Sequence, residues 1–198
     1  GRYPTFIEPR GTVGLFLGCA TQQYQGGALQ AAIEVLNHLG YVVLIPEKQG
    51  CCGALALHQG DPDSASAQQE KNLAAFGQCE TVISIASGCS AHLHEHGADS
   101  RKSVDIVSFL SSALSEVPHL LKALPAKAAL HLPCSATNVL KNTQAHHTLL
   151  AHIPELKLQT LGSIGDCCGS AGDHLLTHRE QAIALRQPML EQLCGRPP

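Results

Sequence analysis

Two pairs of adjacent cysteines, each followed by a glycine, are the residues of this sequence best suited to chemistry. Cys51 and Cys52 lie in KQGCCGALALHQG, and Cys167 and Cys168 lie in IGDCCGSAGDH. Adjacent residues of an extended chain point to opposite sides, so two paired thiols cannot easily coordinate one small ion. Zinc sites instead separate their cysteines by roughly two to four residues. Adjacent thiolates can instead reach separate irons of a larger core, which the glycine lets approach closely. The pairs predict an iron–sulfur cluster, whose chemistry is one-electron transfer.

A single cysteine precedes each pair in a similar sequence context. Cys19 lies in LFLGCATQQY and Cys134 lies in LHLPCSATNV, in both cases at the end of a short apolar run. The interval to the next pair is 32 positions from Cys19 to Cys51 and 33 positions from Cys134 to Cys167. Matching signatures at matching intervals predict that the chain contains an internal duplication.

The cysteine count favours metal or thiol chemistry over a disulfide framework. The chain has nine cysteines, an odd number, and adjacent cysteines bridge each other only with strain. Cys79 and Cys194 lie in or near predicted helix ends and do not follow a strand. A packing role is therefore predicted for these two.

In the first repeat, predicted strands and helices alternate, and the cysteines follow the strands. Short apolar runs bounded by Gly or Pro predict strands at 12–18, 41–46 and 81–87, and Cys89 comes directly after the third. Helices are predicted at 26–39 and 61–77, the second with Asp61 as N-cap. Parallel strands end at one edge of the sheet, where such sheets bind ligands, so four thiols are expected to converge there.

The second repeat follows the same order. Strands are predicted at 127–133 and 156–162, and helices at 135–151 and 173–193, with Pro188 expected to kink or divide the latter. The counterpart of Cys89 would fall beyond residue 198, so this unit is expected to be truncated, unable to complete a cluster, and the chain a fragment.

The predicted fold class is α/β. Two pseudo-symmetric strand–helix–strand units have parallel strands, with the cysteines at the carboxyl edge. The predicted division is a first unit at 1–102, a helical connector at 103–126 and a second unit at 127–198.

Composition excludes several other functions. The net charge is −3 and there is no Trp, which does not favour nucleic-acid binding. No apolar run approaches the roughly 20 residues of a transmembrane helix, and the first residues lack a secretory signal. The expected location is the cytoplasm, either free or peripheral on the inner face of the membrane.

The motifs GCA, GCCGA, ASGCSAHL, PCSAT and CCGSAGDHLLTHRE together resemble the duplicated cysteine-rich (CCG) domain. That domain occurs in the iron–sulfur subunit of glycolate oxidase, in lactate-utilisation iron–sulfur proteins and in the CCG-containing subunit of heterodisulfide reductase. The resemblance is closest to the first of these, through ASGC and through CCGSAG followed by LTH. It implies cluster ligands at Cys19, Cys51, Cys52 and Cys89 in the first unit and at Cys134, Cys167 and Cys168 in the second.

The resemblance also implies a redox role and partners. The cofactor would be a 4Fe-4S cluster, which an aerobic preparation could lose. It would accept electrons from an FAD-containing dehydrogenase subunit that oxidises a 2-hydroxy acid, glycolate or lactate. That flavoprotein would bind the substrate, so no catalytic residue is assigned here. A ferredoxin-like segment would precede the CCG repeats.

Two alternatives stay open from the sequence. One is a thiol/disulfide redox subunit like that of heterodisulfide reductase, in which each motif ends in C-x-x-C; here His92 stands where that last cysteine would be. The other is a zinc-stabilised interaction module. Most of the twelve histidines are interpreted as surface residues, except His92, which is expected beside the site, where a neutral imidazole could tune the cluster or take a proton.

Overall fold

The computed structural model describes residues 1–96, 102–117, 120–162 and 166–195. The chain divides into two compact units, Gly1–Phe109 and Leu110–Pro198. Both contain parallel strands alternating with helices, so the α/β fold class predicted from the sequence is confirmed.

The first unit is built on a five-stranded sheet in the order β1-β3-β2-β4-β5. Only β1 is antiparallel to its neighbour, β3, and the other pairs are parallel. The strands are β1 (Arg2–Tyr3), β2 (Gly11–Phe16), β3 (Tyr41–Leu44), β4 (Val82–Ser84) and β5 (Ser103–Asp105). Leu15, Val43 and Ile83 are fully buried, as expected for a sheet covered on both faces.

Helices connect these strands. They are α1 (Cys19–Tyr24), α2 (Gly26–His38), α3 (Ala54–His58), α4 (Pro62–Ala75), α5 (Ser87–His96) and α6 (Ile106–Ser115). The predicted N-cap of α4 is confirmed, because the Asp61 carboxylate accepts a hydrogen bond from the Ser64 N–H at 3.0 Å. On α2 the buried stripe of Leu29, Ile33 and Leu36 faces the core, in agreement with the predicted apolar face.

The strand order places a reversal at the centre of this sheet. The chain passes from β2 to β3 on one side, and then to β4 on the other side of β2. In open α/β sheets a crevice opens outside the carboxyl ends of the strands at such a reversal, and ligands bind there. Cys19 and Cys89 follow the two strands that flank it.

Two sequence interpretations in the first unit were wrong in detail. The third strand ends at Ser84, and residues 87–96 form α5, so Cys89 lies in the first turn of a helix. The segment predicted as a helical connector begins instead as β5, which pairs with β4, and its helix starts at Ile106. The buried Asp105 explains this break, because its carboxylate accepts the Val107 N–H at 2.9 Å and the Ser90 hydroxyl at 3.2 Å.

After the end of α6 at Ser115, the described part of the second unit contains two parallel strands, a π-helical turn and three α-helices. They are β6 (Lys127–His131), a π-helical turn (Ser135–Val139), α7 (Thr143–Ala151), β7 (Lys157–Leu161), α8 (His174–Thr177) and α9 (Arg179–Leu193). The strands β6 and β7 pair over five residues, from Lys127 opposite Lys157 to His131 opposite Leu161.

Both long helices predicted in this unit are interrupted. Residues 135–151 are divided after the π-helical turn, where Lys141 adopts a positive φ of 51°. Residues 173–193 are divided at His178, whose non-helical backbone precedes α9. Pro188 lies inside α9, so the division predicted there is found ten residues earlier in the chain.

In the residue ranges described, no helix is both long and apolar enough to cross a membrane.

Candidate metal centre

Four cysteines of the first unit meet at the carboxyl edge of its sheet. Cys19 begins α1 shortly after β2, Cys51 and Cys52 follow β3, and Cys89 lies in the first turn of α5 after β4. The strands β3, β2 and β4 are adjacent, so their following turns are neighbours as well. The convergence predicted from the strand order is therefore what the structure contains.

The thiols form a continuous set of sulfur contacts. The Cys19 and Cys51 sulfurs lie 3.6 Å apart, and the Cys52 sulfur accepts hydrogen bonds from the thiols of Cys89 and Cys51. A Cβ atom on Gly18 would lie 3.6 Å from the Cys89 sulfur, so the turn before Cys19 also packs against Cys89. The four side chains share one small region at the edge of the sheet.

The hydrogen bonds favour one thiolate in this set. The thiol of Cys89 donates to Cys52, and together with the Ala54 N–H this lowers the pKa of Cys52 to about 6, although burial opposes the shift. Burial, with the neighbouring Cys52 thiolate, raises the pKa of Cys51 to about 11. The hydrogen bond to Cys52, followed by burial, raises the pKa of Cys89. Cys52 is thus the thiol of this set that most readily becomes a thiolate, the form in which cysteine binds metals.

Exposure differs across the four sulfurs. Cys52 is buried and packs with the core residues Phe16 and Leu93, whereas Cys51 and Cys89 are half-buried and Cys19 is exposed. The set therefore extends from the hydrophobic core to the surface, with Cys19 at the outer end.

The glycine of the first CCG motif is required by its backbone and by its neighbour. Gly53 has a φ of +94°, and a Cβ there would lie 3.0 Å from the carbonyl oxygen of Ala65. Ala65 is buried on α4. The tight backbone predicted for this glycine is present, and the close approach that it allows is to α4.

Two amide side chains hold the turn that carries the cysteines, and the sequence interpretation missed both. Gln49 accepts the Leu17 N–H at 2.8 Å and donates to the Leu15 carbonyl at 3.2 Å, which fixes the turn to β2. Asn72 accepts the Gly50 N–H at 2.9 Å and donates to the Cys51 carbonyl at 2.8 Å. The helical spacing could have identified Asn72, because it lies seven residues after Ala65, on the same buried face of α4.

His92 is buried beside the cysteines, as predicted. Gln69 Nε2 lies 3.2 Å from His92 Nε2, and a Cβ on Gly53 would lie 3.4 Å from that nitrogen. Burial, with a smaller effect of His96 and His58, lowers the pKa of His92, which favours its neutral form. The position three residues after Cys89 is therefore occupied by a buried imidazole.

The second unit repeats part of this arrangement. Cys134 precedes the π-helical turn after β6, and Cys167 and Cys168 follow β7. The Gly169 N–H donates to the Cys167 sulfur at 3.3 Å, as the Gly53 N–H does to Cys51 at 3.5 Å. All three thiols are half-buried, and within the described part of this unit no hydrogen bond joins one thiol to another. Residues 163–165 of the predicted loop lie outside the described ranges.

Across residues 1–96, 102–117, 120–162 and 166–195, no three or more His, Cys, Asp or Glu side chains are arranged to hold a single metal ion. The first unit is therefore a candidate metal centre because its thiols contact one another, not because they form a completed ligand cage. Such a set fits the donors of an iron–sulfur cluster, which are thiolates.

The two remaining cysteines differ from each other. Cys79 lies in the hydrophobic core with Phe16 and Phe76, which confirms its predicted packing role. Cys194 is exposed at the end of α9, so the same prediction was wrong for it. Helix α9 ends at Leu193, and Cys194 caps it with an exposed side chain.

Comparison with known proteins identifies both repeats. The CCG family, described as a cysteine-rich domain, matches residues 13–94 and 128–196. The chain belongs to the cysteine-rich CCG domain family. Its two copies of the domain confirm both the resemblance and the internal duplication predicted from the sequence.

Similar proteins carry a name that refers to lactate. Lactate utilization protein A of Bacillus thuringiensis (strain Al Hakam) is 27% identical over 176 residues, which covers 81% of this chain and 72% of the relative. Lactate utilization protein A of Bacillus cereus (strain AH187) and lactate utilization protein A 1 of Bacillus anthracis (strain A0248) match to the same extent.

Proposed function

We propose that this CCG protein is the iron–sulfur electron-transfer subunit of a flavin-linked 2-hydroxy-acid dehydrogenase. The observation that carries the proposal is the set of four contacting thiols, one of them favoured as a thiolate, at the reversal point of a parallel sheet. Cys19, Cys51, Cys52 and Cys89 would hold a 4Fe-4S cluster. When bound, that cluster supplies one-electron transfer.

The residues of the first unit would prepare and protect this centre. Because its pKa is lowered to about 6, Cys52 is mostly a thiolate at pH 7. One ligand would therefore be deprotonated before the metal binds. The core residues around Cys52 exclude water from the inner side. Cys19, at the exposed end, would face the partner subunit and set the shortest route for an electron.

Lactate is favoured over glycolate as the acid oxidised by the complex, because the similar proteins are named for lactate utilization. An FAD-containing subunit would hold and oxidise that acid and pass single electrons to this chain. Such a complex would work in the cytoplasm or on the inner face of the membrane. Cys134, Cys167 and Cys168 would supply three ligands in the second unit.

Anaerobic reconstitution with iron and sulfide tests the central part of this proposal. We expect the protein to take up a cluster that gives an EPR signal after reduction, and we expect Cys51→Ser to lose most of the iron. Cys194→Ser is the matched control, because that cysteine is exposed and lies outside the thiol set. Equal iron uptake by the wild type and Cys51→Ser, or no cluster signal at all, would contradict the proposal.

Electron acceptance tests the substrate assignment separately. The reconstituted protein is mixed anaerobically either with an FAD-containing dehydrogenase specific for lactate or with one specific for glycolate, each with its own acid, and reduction of the cluster is followed by EPR. Faster reduction with lactate is expected. If the cluster were reduced with glycolate alone, glycolate would be the acid oxidised by the complex. If neither acid reduced it, the flavin-linked role would be contradicted.

A further inference from the structure

Asn72 makes two hydrogen bonds to a short stretch of backbone that includes the first ligand of the CCG pair. Its side-chain oxygen accepts from the Gly50 N–H at 2.9 Å, and its nitrogen donates to the Cys51 carbonyl at 2.8 Å. One planar amide that bonds both groups fixes the position and the orientation of this stretch. The side chain is only 5% exposed, so neither bond competes freely with water.

Helix α4 contacts the cysteine turn at two levels. Ala65 packs directly against Gly53, and Asn72 lies seven residues later, two helical turns along the same face. The pair Cys51–Cys52 is thus held from both sides, by Asn72 before it and by Ala65 after it. A buried amide is costly unless both of its polar groups are bonded, and those of Asn72 are bonded to this turn.

The second unit provides a natural comparison for the same position. There Gly169 packs against Ala182, as Gly53 packs against Ala65. Seven residues after Ala182 comes Met189, which is buried and contacts Gly162. A thioether cannot donate a hydrogen bond and accepts one only weakly, so Met189 cannot hold the second CCG turn as Asn72 holds the first.

We propose that Asn72 is a positioning residue that holds the Cys51–Cys52 turn in its ligand-binding conformation before any metal is present. In relation to the cluster, this inference rests on the proposed function. The effect of Asn72 on the apo protein does not depend on that function. Without the amide, the Gly50–Cys51 peptide opens, and Cys51 leaves its contact with Cys19.

The first test uses Asn72→Met, which installs the residue of the second unit. Asn37→Met is the matched control, because Asn37 is about equally buried and donates to the carbonyl of Tyr41 at 2.9 Å, at the end of β3 that is remote from the cysteine turn. In the apo protein, alkylation of Cys51 relative to Cys19 is measured by mass spectrometry. We expect the ratio to rise about tenfold in Asn72→Met, as opening increases when two buried hydrogen bonds are lost.

The control variant should leave that ratio unchanged even where its stability falls by a similar amount. Asn72→Asp is the second variant, in case the methionine variant does not fold. It keeps an acceptor for the Gly50 N–H but sets a second carboxylate oxygen against the Cys51 carbonyl, so it should also raise the ratio. Wild-type ratios in both Asn72 variants, or an equal rise in Asn37→Met, would overturn the positioning role.

A second test of Asn72 uses EPR spectroscopy of the protein reconstituted with its cluster. After anaerobic reconstitution, Asn72→Met should give a broadened EPR signal, because a loosened Cys51 allows several ligand geometries, and Asn37→Met should give the wild-type spectrum. An unchanged spectrum in Asn72→Met would overturn the role. If the wild type takes up no cluster, the proposed function fails, and the alkylation ratio alone decides the inference about Asn72.

Discussion

The two CCG units have the same cysteine turn and differ in what surrounds it. In both, a glycine with positive φ packs against a helical alanine and donates its N–H to the first cysteine of the pair. In the first unit, Asn72 holds this turn, and the thiols of Cys19 and Cys89 contact the pair. The comparison teaches that the motif builds the turn, whereas the surrounding strands and α4 hold it and bring further thiols against it.

Replacement of the second cysteine of each pair should give the largest difference in iron binding between the two units. Cys52→Ser removes the sulfur that is favoured as a thiolate and contacts two other thiols, so we expect reconstituted iron to fall at least about tenfold. Cys168→Ser, its counterpart, should retain most of the iron. Iron and acid-labile sulfide assays measure both. Comparable losses in the two variants would mean that the units do not differ as ligand sites.

Both glycines of the CCG motifs should be costly to replace, Gly169 more so than Gly53 because its helix is closer. Gly53→Ala and Gly169→Ala each place a Cβ on a left-handed residue against helix backbone, at 3.0 Å from the Ala65 oxygen and 2.7 Å from the Ala182 Cα. We expect each to lower the free energy of unfolding by roughly 2–4 kcal/mol in denaturant titrations. Gly60→Ala, which has positive φ but open space around it, should cost only about 1 kcal/mol. If Gly53→Ala lowered the free energy of unfolding by only as much as Gly60→Ala, α4 would not pack closely against the cysteine turn.

Proton binding should distinguish the units through Cys52. Its pKa is lowered to about 6 in the folded protein from an ordinary value of 9.0, so folding favours the thiolate. This contribution to stability is fully present above pH 9 and is lost as the pH falls towards 6. In the apo protein, ultraviolet thiolate absorbance should show one step with a midpoint near pH 6 that disappears in Cys52→Ser and persists in Cys168→Ser. Persistence of the step in Cys52→Ser would assign the thiolate to another residue.

The smallest expected difference concerns the contacts between strand and turn. Gln49→Ala removes two hydrogen bonds to β2 and should cost about 1–2 kcal/mol of unfolding free energy. His131→Ala removes a single 3.3 Å contact with the Asp166 carbonyl and should cost about 0.5–1 kcal/mol. Denaturant titration of both variants measures the difference. A larger loss for His131→Ala would show that the second turn is held more firmly than the first.

Much of the fold could be predicted from the sequence, because its signals are local. The β-branched run of Tyr41–Leu44, the apolar face of α2 and the cap at Asp61 each specify an element by themselves. The convergence of the cysteines followed from parallel topology, which brings all strand ends to one edge. These predictions needed no knowledge of long-range contacts.

What could not be predicted depends on side chains that meet across the sequence. The short strand β5 forms because Val82 and Ile83 offer an edge to residues 103 and 104, and because Asp105 is buried against Ser90. The clamp at Asn72 joins residues 21 and 22 positions apart. The surface position of Cys194 reflects the end of α9, which composition does not reveal.

Iron-edge anomalous diffraction from anaerobically reconstituted crystals would test the central claim most directly. We expect anomalous density at the carboxyl edge of the first sheet, bonded to the sulfurs of Cys19, Cys51, Cys52 and Cys89. Density bound only by Cys134, Cys167 or Cys168, or a single ion in place of a multi-iron core, would contradict the account.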